Sequence, residues 1–282
     1  MVDRRRDVKP LHEAVLSGGS ANAPFVVKYM EGAGVLSWKD CTKVKLSGFV
    51  SHLEGAGVAQ STAHQYTAVL KAVLNKYKEA GVVPCTDISG ALKCKNEKSQ
   101  KVYLTQDELK ALEDVTAITQ NERFVQLCFL ISAKTGMRVS DTLRVNSRNI
   151  DGGMLRYVSK KTKIEACVPV SNKTAAWIRE VNAIKARPCT ATYENTIKHL
   201  CQIAGITSDT KVFKAGKEKT GEKWEFVSSH TARVTFCTLM SQMGVNIQDI
   251  ATMAGHTSPV MTQNYIVRTA PRVTEAARAF LG

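Results

Sequence analysis

The 282-residue chain has no long apolar run, no internal repeat and no low-complexity stretch. Without such a run, and without an amphipathic anchor, nothing in it reads as a membrane-spanning or membrane-lying segment. Its eight cysteines, at 41, 85, 94, 128, 167, 189, 201 and 237, include no CxxC pair and no metal-ligand spacing. A zinc ribbon and a secreted disulfide scaffold are thereby excluded, and no metal site is expected. Cys128, set in Val125-Gln126-Leu127-Cys128-Phe129-Leu130, typifies thiols expected to be buried and reduced. No apolar segment follows Arg4, Arg5 and Arg6, so the N-terminus does not read as a signal peptide, and a cytoplasmic protein is expected. Aromatics are low at 6%, and acidic residues are outnumbered, 25 against 39 lysines and arginines. The resulting charge of +14 and pI near 9.5 favour a polyanion as partner.

What is present is enough apolar material, 44% of residues, for two cores. Residues 1–20 are polar, basic at the start, and close on Ser17-Gly18-Gly19-Ser20; they read as a short arm. Residues 21–93 carry helical spacing. Phe25, Val26, Tyr29 and Met30 share a face, as do Val44, Leu46, Phe49, Val50 and Leu53. A longer helix with Tyr66, Val69, Leu70, Val73, Leu74 and Tyr77 is expected to be capped by Ser61 or Thr62 and to end near Gly81. Residues 94–104 are lysine-rich at the start, lack periodicity and read as a linker.

The second domain, 105–282, opens on Thr105-Gln106-Asp107-Glu108, a capping-box pattern. An apolar helix over 124–133 runs into Gly136, and strands are predicted over 154–159 and 164–170 around a turn at Lys160-Lys161-Thr162-Lys163. Helices follow over about 172–186 and 192–204, then a hairpin or loop over 211–227. Three more helices begin near His230, at Asn246 and at Ser258-Pro259. The fold class is mainly α with a small antiparallel β-sheet in the second domain (α+β).

Chemistry-bearing residues recur in an ordered set. Thr135-Gly136-Met137-Arg138-Val139-Ser140-Asp141 comes first, then the lysine turn, then His230-Thr231-Ala232-Arg233, Gly255-His256, and Asn264-Tyr265. Arg138 follows a glycine turn that can fix a guanidinium over a phosphate. His230 and Arg233 project from one face of a helix's first turn, where free N–H groups and the dipole suit an anion. Arginine forks bind phosphate bidentately, histidine moves protons near neutral pH, and tyrosine can act as a covalent nucleophile. Taken singly, each residue also has an ordinary structural reading: Arg138 as the ion-pair partner of Asp141, Tyr265 as packing, the lysines as a charged turn.

This order resembles the tyrosine recombinase (phage integrase) family: an arginine after a Thr-Gly turn, a hairpin lysine, H-x-x-R, Gly-His, and a tyrosine nine residues later. The likeness covers roughly 105–270, and residues 21–93 resemble the family's helical (SAM-like) core-binding domain, so the resemblance implies a two-domain clamp on double-stranded DNA. It implies that Arg138 and Arg233 hold the scissile phosphate, that Tyr265 attacks it to give a 3′-phosphotyrosyl link, and that Lys161 protonates the leaving oxygen. His230 would assist proton transfer, His256 would donate a hydrogen bond to the phosphate, and Asp141 would support the site from behind. Lys160 and Lys163 remain rivals of Lys161. The bond energy is kept in the phosphotyrosine, so neither ATP nor a metal or other cofactor is implied.

The implied function is site-specific recombination, most simply as the integrase of a phage or other mobile element. A Xer-like dimer resolvase is the alternative, and a non-catalytic DNA-binding regulator a third reading. The tail, 268–282, is implied to pack on a neighbouring subunit within a homo-tetramer, and accessory DNA-bending or directionality proteins are implied as further partners. Departures are small: Val234 stands where many members have histidine, Ala254 where leucine is common, and Lys163 where glycine often follows Lys-Thr.

Overall fold

The computed structural model describes residues 8–94, 100–214, 217–267 and 279. The chain divides into two compact units, residues 1–99 with 213–218, and residues 100–212 with 219–282. Among the described residues no helix is long and apolar enough to cross a membrane.

The first unit is helical: α1 (Leu11–Leu16), α2 (Ala23–Gly32), α3 (Lys43–Gly55), α4 (Gln60–Lys78) and α5 (Ile88–Ala91). Its core takes Val26 and Met30 from α2, Leu46, Phe49 and Leu53 from α3, and Leu70 and Leu74 from α4. These are among the one-face positions read from the sequence, but Phe25 and Val44, read on the same faces, are exposed. Two expectations change. Part of the arm expected over 1–20 is the helix α1, whose Leu11, Ala14 and Val15 are buried in this core. Six residues, three of them buried apolar side chains, stabilise little alone and form a helix by tertiary burial. The long helix also begins earlier than expected. Its N-cap is Ala59, with no side-chain capping bond, so Ser61 and Thr62 lie inside the first turn.

The second unit opens with α6 (Gln106–Asp114), where Thr105 and Glu108 form the reciprocal capping box. Then come α7 (Gln120–Thr135), α8 (Val139–Thr142), strands β1 (Ile150–Asp151), β2 (Met154–Val158) and β3 (Glu165–Pro169), and helices α9 (Asn172–Ala183) and α10 (Thr190–Ile203). Strands β4 (Asp209–Lys214) and β5 (Lys217–Glu222), of which residues 213–218 count with the first unit, pair as a two-stranded sheet over the segment expected as hairpin or loop. Helices α11 (Ser229–Gln242), α12 (Ile247–Ala254) and α13 (Pro259–Gln263) follow. The first three strands form an antiparallel sheet in the order β1-β2-β3, with Leu155 opposite Val168 and Tyr157 opposite Ala166. Those four side chains point into the core.

Helix α7 is buried almost all round from Phe124 to Thr135 and packs against α9, α10 and α11. It is the central post of the unit, and its C-terminus therefore lies deep beside α11. Helix α12 packs on β3 and on α13. Cys41, Cys85, Cys128, Cys201 and Cys237 are buried, whereas Cys189 is exposed just before α10.

Candidate active site

Helix α7 stops at Gly136, whose φ of 71° is the left-handed value that ends a helix. Glycine is required there twice over, because a Cβ would sit 2.5 Å from the Phe236 ring of α11. The tight approach turns the Gly136 carbonyl towards Arg233 of the same helix. Arg233 is only 1% exposed. Its Nη1 donates to the carbonyls of Gly136 (2.7 Å) and Ala254 (2.6 Å), and its Nε donates to Nε2 of His256 (3.2 Å). Its Nη2, equally buried, has no hydrogen-bond partner. Leaving that buried donor unmatched is costly, while the other three bonds hold the guanidinium in place.

Arg138 follows the turn and stands at the head of α8. Its Nη1 donates to Ser159 Oγ (2.8 Å), and Ser159 Oγ donates to Asp141 Oδ2 (3.3 Å). Asp141, 1% exposed, also accepts the backbone N–H of Lys160 (2.9 Å). Asp141 therefore ties α8 to the end of β2 and steadies Arg138 through Ser159. Arg138, His230 and Arg233 line one cleft of about 190 Å³, with Met137, Val139, Ser140 and Ser229.

Tyr265 follows α13 and is 8% exposed. Its ring centroid lies 4.6 Å from that of His256 and 4.9 Å from that of His230. The Arg233 guanidinium carbon lies 5.2 Å from the ring centroid, and Lys101 Nζ lies 4.5 Å from it. Below the ring, Thr238 of α11 bonds this segment twice, donating to the Tyr265 carbonyl (3.5 Å) and accepting from the Val267 N–H (3.0 Å).

His256 is buried, and both its ring nitrogens are engaged. Because Nε2 accepts from Arg233, the neutral ring carries its proton on Nδ1 and donates it to Thr262 Oγ1 (2.8 Å). Burial first, then the charges of Arg233 and Arg138, holds its pKa down at about 3. The resemblance implies a donation from His256 to a phosphate; without DNA both ring nitrogens are already engaged. The neutral ring has no free N–H here, and its contacts orient Arg233 instead. His230 is exposed as a residue, but its ring packs on Tyr265. Desolvation of that ring, followed by the charges of Lys101, Arg233, Arg138 and Lys161, lowers its pKa to about 4. Near pH 7 both histidines are neutral, and His230 is able to accept a proton.

Lys161 is exposed on the turn after β2 and is not part of the cleft lining. Its charge nevertheless reaches His230. The turn is anchored by Thr162 Oγ1, which donates to the Gly255 carbonyl (3.1 Å). Lys160 contributes its backbone N–H to Asp141, and Lys163 adopts a left-handed φ of 59°. Glycine adopts that conformation at the least cost. Four residues that the sequence did not single out are part of the assembly: Lys101, Ser159, Thr238 and Thr262. They belong to no motif, and only tertiary contact brings them in. The tail 268–282 expected to bind a neighbour lies outside the described residues, apart from residue 279.

A buried arginine with an unpartnered donor, a second arginine, two histidines and a tyrosine are thus gathered in one place. Residues 102–271 match the sequence model of the Phage integrase family, so the chain belongs to that family of tyrosine recombinases. The tyrosine recombinase XerD of Haemophilus influenzae is 24% identical over 259 residues, covering 82% of this chain and 79% of the relative. The integrase of Enterobacteria phage P21 is 24% identical over 250 residues, covering 84% of this chain and 64% of its own length. Among solved structures, a lambda integrase tetramer bound to a Holliday junction superposes with a TM-score of 0.63 at 14% identity, covering 95% of this chain and 81% of that one. The Tn1549 transposon integrase in complex with circular intermediate DNA gives 0.64 at 16%, covering 98% and 95%. At these identities the structural likeness speaks for the fold.

Proposed function

We propose that the chain cuts and rejoins double-stranded DNA at specific sites through Tyr265. The unpartnered Nη2 of buried Arg233 carries this reading, because Arg233 lines the cleft shared with Arg138 and His230 and this N–H has no acceptor of its own. In the reaction Tyr265 Oη bonds to phosphorus while the bond from phosphorus to the 5′-oxygen breaks. The strand is left as a 3′-phosphotyrosyl ester. The tyrosine proton passes to neutral His230, and Lys161 delivers a proton to the leaving 5′-oxygen. Arg138 and Arg233 stabilise the charge that builds on the non-bridging oxygens. His256 acts through Arg233, and Asp141 through Ser159 and Arg138. Reversal by the 5′-hydroxyl of another strand rejoins the backbone, so the protein stores the bond energy itself.

The excess of positive charge supports a clamp of both units on the duplex, with accessory proteins adding bending or direction. Integration and excision of a phage or other mobile element is the reading we favour, in line with the likeness to a phage P21 integrase and a transposon integrase. The similarity to XerD supports dimer resolution as the second reading. Assembly as a tetramer on paired sites is part of the same reading, in line with the likeness to a lambda integrase tetramer.

The test uses the full chain and a duplex selected from a randomised pool by its binding, then nicked at successive positions in one strand. Wild type is expected to accumulate a covalent protein–DNA adduct and Tyr265→Phe to form none while still binding. An adduct that persists in Tyr265→Phe would show a different nucleophile, and binding with no adduct from wild type would favour a non-catalytic regulator.

A further inference from the structure

Lys101 lies far in sequence from every motif of the site, in a stretch whose lysines read as linker charge. Its ammonium, however, is turned inwards. Nζ donates a hydrogen bond to the backbone carbonyl of Asn264, the residue before Tyr265, and lies 4.5 Å from the centre of the Tyr265 ring. Burial holds the lysine's pKa below its ordinary value. A desolvated ammonium is costly unless matched, and here a carbonyl and an aromatic face match it. A lysine whose only task was solvation or loose attraction to DNA would keep its head in water.

We propose that Lys101 is a positioning residue for Tyr265, holding the nucleophile's backbone and ring in register with His230 and the two arginines. The inference deepens the reading of the site given above and rests on it. Three contacts fix the short segment that carries the tyrosine. Thr238 grips it from α11, the Tyr265 N–H donates to the Thr262 carbonyl (2.8 Å), and Lys101 closes the remaining side. Of these, Lys101 alone brings a charge to the ring. The same ammonium is the leading nearby charge acting on His230, ahead of Arg233, Arg138 and Lys161, and so helps to keep that histidine neutral as a proton acceptor. The two effects act together: the nucleophile is placed, and its proton acceptor is kept unprotonated.

The experiment compares wild type, Lys101→Met and Lys101→Arg on the nicked, selected duplex. Methionine keeps the apolar stem and loses the charge and the donor; arginine restores both. Under single-turnover conditions Lys101→Met is expected to slow adduct formation roughly ten- to a hundredfold, as for a reacting group slightly misplaced. Its dissociation constant for the duplex and its melting temperature should stay near wild type, and Lys101→Arg should recover part of the rate. In the DNA-free protein, the His230 ring signal followed by NMR should titrate at higher pH in Lys101→Met than in wild type. Unchanged cleavage in Lys101→Met overturns the proposal, as does a loss of binding that accounts for the whole loss of rate, because Lys101 would then be a phosphate contact. An unchanged His230 titration overturns the electrostatic half. Failure of wild type to form an adduct would instead strike the reading of the site itself, so the two failures are separable. If Lys101→Met melts much lower than wild type, Lys101→Gln, which keeps a donor without the charge, must still cleave more slowly than Lys101→Arg.

Discussion

Replacing Gly136 by alanine tests the packing that holds Arg233 over the cleft. The residue has φ +71°, which costs an L-residue about 1–2 kcal/mol. The added Cβ would also lie 2.5 to 2.7 Å from two atoms of the Phe236 ring, an overlap that must be relieved by shifting α7 or α11. Overpacking of this kind costs about 1–3 kcal/mol. The sum, about 2–5 kcal/mol, corresponds to a melting temperature lower by roughly 4–20 °C for a unit of this size. Phe236→Leu removes the ring while keeping most of the volume, so in that background only the backbone share should remain, about 1–2 kcal/mol. Urea unfolding of wild type, both single variants and the double variant completes the cycle. Additive single effects, or a Gly136→Ala penalty below about 1 kcal/mol, would refute the reasoning, because the Gly136 turn and the Phe236 ring would then not be in conflict.

Acid should destabilise the DNA-free protein. The pKa of His230 is lowered to about 4 and that of His256 to about 3, so the unfolded chain binds more protons than the folded one below pH 6.5. The stability these neutral rings contribute is complete above pH 6.5 and declines as pH falls towards 4. The melting temperature should follow that window, and His256→Gln should flatten it. A pH-independent melting temperature between 6.5 and 4 would contradict the buried, cation-flanked placement. Lys163→Gly removes a left-handed φ from a lysine and should raise stability by up to about 1 kcal/mol, read by urea unfolding; a loss of stability would contradict the turn geometry. Ser159→Ala cuts the link between Arg138 and Asp141. It should slow adduct formation by at least about tenfold with little change in DNA affinity, since phosphate contacts elsewhere supply most of the binding.

The sequence was most legible where local chemistry decides structure. Thr105 with Glu108, Asn246, and Ser258 ahead of Pro259 announced helix starts that are present with their capping bonds. The helical spacing of Leu46, Phe49 and Leu53 located a core face. Helix α1 was not legible, because six residues are too few to carry a usable period. The two-residue β1 is shorter than any strand signal, and it pairs only because β2 lies beside it. In the site, the order of motifs named Arg138, Arg233, His230, His256 and Tyr265, and the fold gathers them. What escaped were the supports. Ser159 and Thr238 are ordinary hydroxyls whose partners are distant in sequence, Thr262 meets His256 only through the fold, and Lys101 is indistinguishable from the solvated lysines before it. The state of His256 was illegible too, since its tautomer follows from a hydrogen bond to Arg233 that only the fold creates.

The central claim is that Tyr265 itself becomes bonded to DNA. The most direct measurement is peptide mass spectrometry of the adduct formed by the wild-type chain on the nicked, selected duplex after nuclease and protease digestion. A nucleotide remnant is expected on the peptide containing Tyr265, attached through the phenolic oxygen. A remnant on any other residue, or an adduct of equal yield from Tyr265→Phe, would contradict it.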